Sequence, residues 1–110
     1  MAGKILIFGA TGAVGSSLAK LLKDSSQEAH LIGKNEEEVS KLADQTGFSF
    51  SVSDVLEDNF IEKIEQDLNE TQISGIAYCV GSIDLKPLNL ISRKDVLKCF
   101  SLNLFPIYDI

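Results

Sequence analysis

The sequence predicts an α/β fold built on a doubly wound parallel sheet, and three observations predict it. Short apolar runs alternate with helical patterns three times, and a fourth apolar run and a last helical pattern follow. The first run, Ile5 to Phe8, breaks at Gly9, and Gly12 and Gly15 follow at three-residue intervals before a helical stretch opens. The fourth run, Gly75–Val80, is apolar at nearly every position, as in a strand in the middle of a parallel sheet.

Each element has its own signal. The first strand is Lys4–Phe8. A helix is expected over Ala13–Lys23, with Val14, Leu18, Leu21 and Leu22 at helical spacing on its inner face. The second strand is Ala29–Gly33. Asn35 then caps a helix, and Glu38 completes a capping box. Glu36, Glu37 and Glu38 suit a first helical turn rather than a metal or catalytic site. This helix turns Val39 and Leu42 inward and stops near Gly47.

The third strand, Phe48–Val52, alternates through Phe48, Phe50 and Val52. Asp54 is placed to cap the next helix, with Glu57 at the box position and Phe60, Ile61, Ile64 and Leu68 as its buried stripe. The fourth strand ends at Gly81, and a loop containing Pro87 runs to Leu90. Ser92 and Asp95 make a third capping box, opening a helix that Pro106 kinks or ends. Right-handed crossovers then give the strand order 3-2-1-4, a Rossmann domain over residues 1–110.

The glycine turn carries the first functional reading. Gly9, Gly12 and Gly15, with Thr11, Ala13 and Val14 among them, lie where a strand passes into a helix. Bare backbone there lets N–H groups and the helix N-terminus approach a pyrophosphate. Dinucleotide binding is the favoured reading; a merely structural turn is the other. An NAD site carries an acidic residue about 20 residues beyond the glycines, to bond the ribose 2′-hydroxyl. Here that point reads Leu31-Ile32-Gly33-Lys34-Asn35. A 2′-phosphate would meet the Lys34 cation, with Asn35 as a second donor, so NADP is expected over NAD. The competing reading makes Lys34 a solvated surface residue.

Bulk properties exclude other classes. A formal net charge of −6 argues against nonspecific nucleic-acid binding and against anionic membrane surfaces. No apolar run is long enough to span a bilayer. Met1-Ala2-Gly3-Lys4 leads directly into a strand, so a signal peptide is not expected and the cytoplasm is the expected address. Cys79 and Cys99 sit in apolar runs and read as small buried hydrophobes. His30, the only histidine, lies in a strand pattern and reads as structural or solvent-facing. No Cys/His grouping has metal-ligand spacing.

Along its whole length the sequence resembles the short-chain dehydrogenases/reductases. The Gly9–Gly15 turn corresponds to that family's cofactor loop. Asp54-Val55 resembles the Asp-Val pair that holds adenine; Asp54 also has the helix-capping reading given above. Tyr78-Cys79-Val80-Gly81 falls where the family has Asn-Asn-Ala-Gly, and Gly81 permits close approach to the ribose. Ser101-Leu102-Asn103-Leu104 resembles the segment bearing the family's asparagine, which places Asn103 in the catalytic tetrad; the alternative is a polar residue within a helix. Phe8 replaces a threonine, Gly12 falls one position early, and Tyr78-Cys79 removes amides that normally cross-link the central strands, so sheet bonding there must differ.

The resemblance implies hydride transfer between NADP(H) and a carbonyl or alcohol substrate. The family's tyrosine supplies the proton, with a lysine four residues on lowering its pKa. Tyr78 is followed at that distance by Ser82, Tyr108 is two residues from the last, and no Tyr-x-x-x-Lys is present. Of the tetrad only Asn103 has a counterpart. The expectation is the cofactor-binding half of an oxidoreductase, with a non-catalytic NAD(P)-binding regulator or redox sensor as the alternative. The loop Ser82–Leu90 is the candidate substrate wall. Val96, Leu97, Phe100, Leu102, Leu104, Phe105 and Ile107 leave the last helix apolar on more than one face, which suits a homo-oligomer.

Overall fold

Leu6 and Phe8 project to one face of β1 (Lys4–Phe8), and Ile7 projects to the other; all three are buried. A strand with two apolar faces needs cover on both sides, which only the interior of a sheet supplies. The computed structural model, which describes residues 3–69, 71–81 and 87–110, places it there. β1 pairs in parallel with β2 (Ala29–Gly33) on one side and β4 (Ile73–Tyr78) on the other, and β3 (Ser49–Val52) pairs with β2. The order is β3-β2-β1-β4, as the sequence predicts.

The helices divide between the two faces. α1 (Ala13–Asp24) and α2 (Glu36–Thr46) cover Ile7 and Leu31 with Ala19, Val39, Leu42 and Ala43. α3 (Phe60–Leu68) and α4 (Arg93–Asn103) close over Leu6, Phe8 and Ile32 with Phe60, Ile64 and Leu102. Phe8 anchors this second layer, its ring edge-on to Phe60 at 6.3 Å and tilted against Tyr78 at 5.9 Å. Truncation of such a buried phenylalanine to alanine costs about 3–5 kcal/mol.

The capping signals hold where the helix follows at once. Asn35 accepts a bond from the Glu38 N–H, one half of the expected box, and Gly47 adopts the left-handed conformation (φ 78°) that stops α2. Ser92 and Asp95 form both bonds of their box. α4 ends after Asn103, and Pro106 lies in the first turn of α5 (Phe105–Asp109), so the proline marks a break.

Four expectations are corrected. The inner face of α1 is Gly15, Leu18, Ala19 and Leu22, while Val14 and Leu21 point outward. Its smallest residue packs on the backbone of residues 9 and 10, and this rotates the helix away from the leucine-rich face. Phe50 and Val52 of β3 are over a third exposed, because β3 is an edge strand, while Ser51 faces inward. Asp54 does not cap α3. Its Oδ1 accepts from the Leu56 N–H at 2.9 Å and its carbonyl from the Glu57 N–H, a local turn that delays the helix to Phe60. β4 starts and ends two residues earlier than expected; its last ladder bond runs from the Cys79 N–H to the Phe8 carbonyl, because β1 turns away at Gly9. Of the loop Ser82–Leu90, residues 82–86 lie outside the described residues, as do Met1 and Ala2; a 3₁₀ turn spans Leu88–Leu90.

His30 is structural. It is 2% exposed beneath α3, with Nδ1 2.7 Å from Ser49 Oγ and Nε2 2.6 Å from Ser51 Oγ; the Lys4 ammonium donates to Ser49 Oγ. A neutral imidazole, one nitrogen donating and one accepting, satisfies this row. Burial, reinforced by Lys4 and opposed by Asp67, holds its pKa down at about 4 rather than 6.5. The unfolded chain therefore takes up a proton below about pH 6.5 that the folded chain refuses until about pH 4. The stability that depends on this neutrality is complete above the upper value and lost as pH falls toward the lower. Urea unfolding at pH 7 and pH 5 is expected to show a loss of about 2 kcal/mol from this group. His30→Gln removes that part of the pH dependence; an unchanged dependence in the variant contradicts the assignment.

Candidate functional site

β1 and β4 are sequence-distant neighbours from which the chain departs to opposite sides, and a crevice opens beyond their carboxyl ends. Its volume is about 460 Å³. Gly9, Thr11 and Gly12 form one border. Ile32, Gly33 and Lys34 enter from the end of β2, and Ser53, Asp54, Val55 and Leu56 from the end of β3. Cys79, Val80 and Gly81 follow β4, and Lys98 and Leu102 stand on α4. The lining is mainly apolar, with two ammonium groups and one carboxylate.

The three glycines of the turn have different reasons to be glycine. Gly9 has φ +74°, and a Cβ there would lie 2.8 Å from the Cys79 carbonyl carbon and the Val80 nitrogen. At Gly15 a Cβ would collide with the Gly9 carbonyl oxygen and approach Ala10 Cα to 2.9 Å. Both are demanded by the fold: at Gly9 the backbone passes against the Cys79–Val80 segment that follows β4, and at Gly15 α1 crosses the end of β1 with no room between the backbones. Gly12 is different. Its φ is −74°, and the nearest atom to an added Cβ is the Gly9 oxygen at 3.5 Å, an ordinary contact. Nothing in the chain requires glycine at that position, which borders the crevice. It is also the N-cap of α1, where serine, threonine or aspartate would bond the first helical N–H groups, and it makes no side-chain cap.

The other sequence candidates separate clearly. Lys34, Asp54, Val55 and Gly81 join Gly9, Thr11 and Gly12 around the crevice. Ala13, Val14 and Gly15 lie just behind it on α1, Val14 exposed and Gly15 buried. Asn35 faces a shallow hollow along α2 that it shares with Lys34, Glu36 and Lys41. Asn103 does not line the crevice. Its Nδ2 donates to the Cys99 carbonyl at 3.0 Å, one turn back, and a Cβ on Gly81 would come within 2.8 Å of its Oδ1. Sequence reasoning missed Lys98; the signal was its spacing of four residues from Leu102, which puts both on one helical face.

Tyr78 and Cys79 explain how the sheet manages without the amides of Asn-Asn. The Tyr78 hydroxyl donates to the Leu102 carbonyl at 2.6 Å, so the cross-link runs from β4 to α4 through a phenol. Burial raises the pKa of Tyr78, and likewise that of the Cys79 thiol. Neither group is poised to exchange protons near neutral pH.

A parallel sheet ordered 3-2-1-4, a glycine crossing after β1 and a crevice at the strand ends define a Rossmann-like α/β domain. The chain has the fold of the short-chain dehydrogenases/reductases. It superposes on one from Vibrio parahaemolyticus with a TM-score of 0.82, at 20% identity over 96% of this chain and 48% of that one. A gluconate 5-dehydrogenase from Burkholderia cenocepacia J2315, in complex with NADP and tartrate, gives 0.84 at 23% identity, covering 96% of this chain and 44% of that one. A protein described as ribose-5-phosphate isomerase from Brucella melitensis 16M gives 0.84 at 21% identity, covering 98% and 43%. The chain thus spans less than half the length of each. No family model matches the sequence, and no curated protein matches it. No helix among the described residues is long and apolar enough to cross a membrane.

The phenol assignment has a direct test. Tyr78→Phe keeps the ring contact with Phe8 and removes the bond to α4, and is expected to lower unfolding stability by about 1 kcal/mol. Near-UV circular dichroism and urea midpoints measure it; an unshifted midpoint removes the cross-link from the account.

Proposed function

We propose that this chain is the cofactor-holding part of an NADP-dependent oxidoreductase of the short-chain dehydrogenase/reductase type. The observation that carries this reading is Gly12. The fold itself accounts for Gly9 and Gly15; at Gly12, which borders the crevice with room for a Cβ, a ligand pressed against the backbone gives a reason for a bare residue. The residues of the turn from Gly9 to Gly15, with Thr11, Ala13 and Val14, would hold the diphosphate at the uncapped start of α1. Asp54 and Val55 would hold the adenine, Gly81 would lie against the ribose, and Lys34 with Asn35 would meet its 2′-phosphate. When bound, the nicotinamide supplies or accepts a hydride, and the substrate class is a carbonyl or alcohol.

By the layout of that family, the proton chemistry would belong to residues beyond these 110. Tyr78 is committed to α4, and the fourth residue after it is Ser82 rather than a lysine. Asn103, held against Gly81 and its own helix, is the one member of the tetrad in this portion. One observation favours a second reading, a dinucleotide-binding regulator or redox sensor without turnover: the positions of the family's Asn-Asn pair hold a structural phenol and a half-buried thiol. NADPH oxidation with a panel of carbonyl compounds by the longer protein separates the two. Two unpaired cysteines suit the cytoplasm. Exposed Val96, Leu97, Phe100, Phe105 and Ile107 support association with a second copy, which sedimentation equilibrium should detect as dimer and would refute as monomer at all concentrations.

Titration followed by nicotinamide fluorescence is expected to show NADPH saturating one site per chain and binding about tenfold more tightly than NADH, in line with one charge-assisted contact. Gly12→Ala should weaken NADPH by about tenfold or more, about 1.4 kcal/mol, with little change in melting temperature. Gly15→Ala should instead destabilise the fold by about 1–3 kcal/mol, as overpacking does. Wild-type affinity in the Gly12→Ala protein would falsify the reading.

A further inference from the structure

The crevice contains a cation that neither the glycine turn nor the end of β2 supplies. Leu102 and Lys98 stand one above the other on α4, and both line it. Leu102 is fixed: its carbonyl takes the Tyr78 hydroxyl and its half-buried side chain packs on the Phe8 layer. Lys98, one turn toward the start of the helix, is exposed. The leucine is therefore wall and the lysine rim. Lys34, also exposed, stands on the rim at the end of β2. Among the described residues neither ammonium is paired with a carboxylate; the ion pair found is Lys63–Glu57. The single carboxylate of the lining, Asp54, is already engaged by the Leu56 N–H. On a chain of net charge −6, the crevice has an excess of cations.

We infer that Lys98 is a second specificity-determining residue for the phosphorylated dinucleotide, sharing the ribose 2′-phosphate with Lys34 across the crevice. The inference rests on the reading of the crevice as a dinucleotide site. A phosphate monoester carries a charge of about −1.5 to −2 at neutral pH, which one ammonium neutralises only in part. Lysine is suited to this role, because its long stem lets a point charge reach an anion whose position is set by other groups. Two rim lysines on different elements divide the task between the end of β2 and α4. Discrimination between the two coenzymes then has two sources, and removal of Lys34 alone leaves part of it.

Calorimetric titration of the purified protein tests this with NADPH, NADH, 2′,5′-ADP and 5′-AMP. Lys98→Met keeps the apolar stem and removes the charge. It is expected to weaken NADPH and 2′,5′-ADP by about 5- to 20-fold, with a smaller loss at high salt, and to leave NADH and 5′-AMP within about twofold. Lys34→Met should retain a residual preference for the phosphorylated ligands, and the double variant should show none. Equal weakening of phosphorylated and unphosphorylated ligands by Lys98→Met overturns the inference, as does no weakening of either. If the wild-type protein, with its melting curve intact, binds none of the four, the crevice is not a dinucleotide site. If it binds them without preference, the crevice reading survives and Lys98 has no selective role.

Discussion

The constraint on which this molecule depends is the contact between the first turn of α1 and the end of β1. The backbones of residues 9, 10 and 15 meet with no space for a Cβ at Gly15, and Gly9 is pressed in turn against the Cys79–Val80 backbone. Because α1 sits so close, its packing face is Gly15 and Ala19, with Leu18 and Leu22 beside them, and its other apolar residues turn outward. Because β1 must turn sharply at Gly9, its pairing with β4 ends there, and Cys79, Val80 and Gly81 become a wall of the crevice rather than part of the sheet. One steric requirement thus orients the helix, ends the ladder and opens the site.

Around this crossing the two faces of the sheet are built differently. The α1/α2 face is aliphatic and alanine-rich, closely packed on Ile7 and Leu31. The α3/α4 face is aromatic at its centre, through Phe8, Phe60 and Tyr78, and polar toward β3, through His30 and its serines. A buried histidine is tolerable there because each ring nitrogen meets a hydroxyl that can donate or accept, so no polar atom is stranded. The same face carries the phenol that ties α4 to β4. The polar groups of this layer are bonded within the fold, whereas among the described residues the two rim lysines of the crevice form no ion pair.

Much of the architecture was legible because local and tertiary signals agree. The strand order follows from alternation of elements, and the stops and starts at Gly47, Ser92 and Asn35 are local chemistry that the tertiary structure leaves alone. The misreadings came where another contact overrode the local pattern. Val14 and Leu21 fit a helical stripe, but backbone proximity at Gly15 selects the opposite face. Asp54 has the spacing of a cap, yet its own turn to Leu56 forms first along the chain and postpones the helix. Phe50 and Val52 alternate as an inward face should, but an edge strand has only partial cover to offer. For the candidate site, glycine spacing pointed to a turn that borders the crevice, without revealing that the fold requires two of its glycines and not the third. The spacing of Lys98 from Leu102 was legible, but not which way that face of α4 turns, which the bond from the Tyr78 hydroxyl to the Leu102 carbonyl helps to fix.

This distinction between glycines bears on how far a fold can speak for function. Solved proteins that share the architecture at 20% to 23% identity include one described as an isomerase and one holding NADP, so the shape of the sheet alone does not choose a chemistry. Gly9 and Gly15 belong to that shape; any protein with this crossing needs them. Gly12 does not. An alanine there would fit the backbone dihedrals and meet no atom closer than 3.5 Å, and a serine or aspartate would cap α1 better than hydrogen does. A residue that the fold could improve upon, at the border of the crevice beyond the strand ends and beside unpaired helical N–H groups, is what a tightly apposed anion would require. The proposal of a bound diphosphate therefore rests on the one glycine of the turn that the backbone crossing does not require.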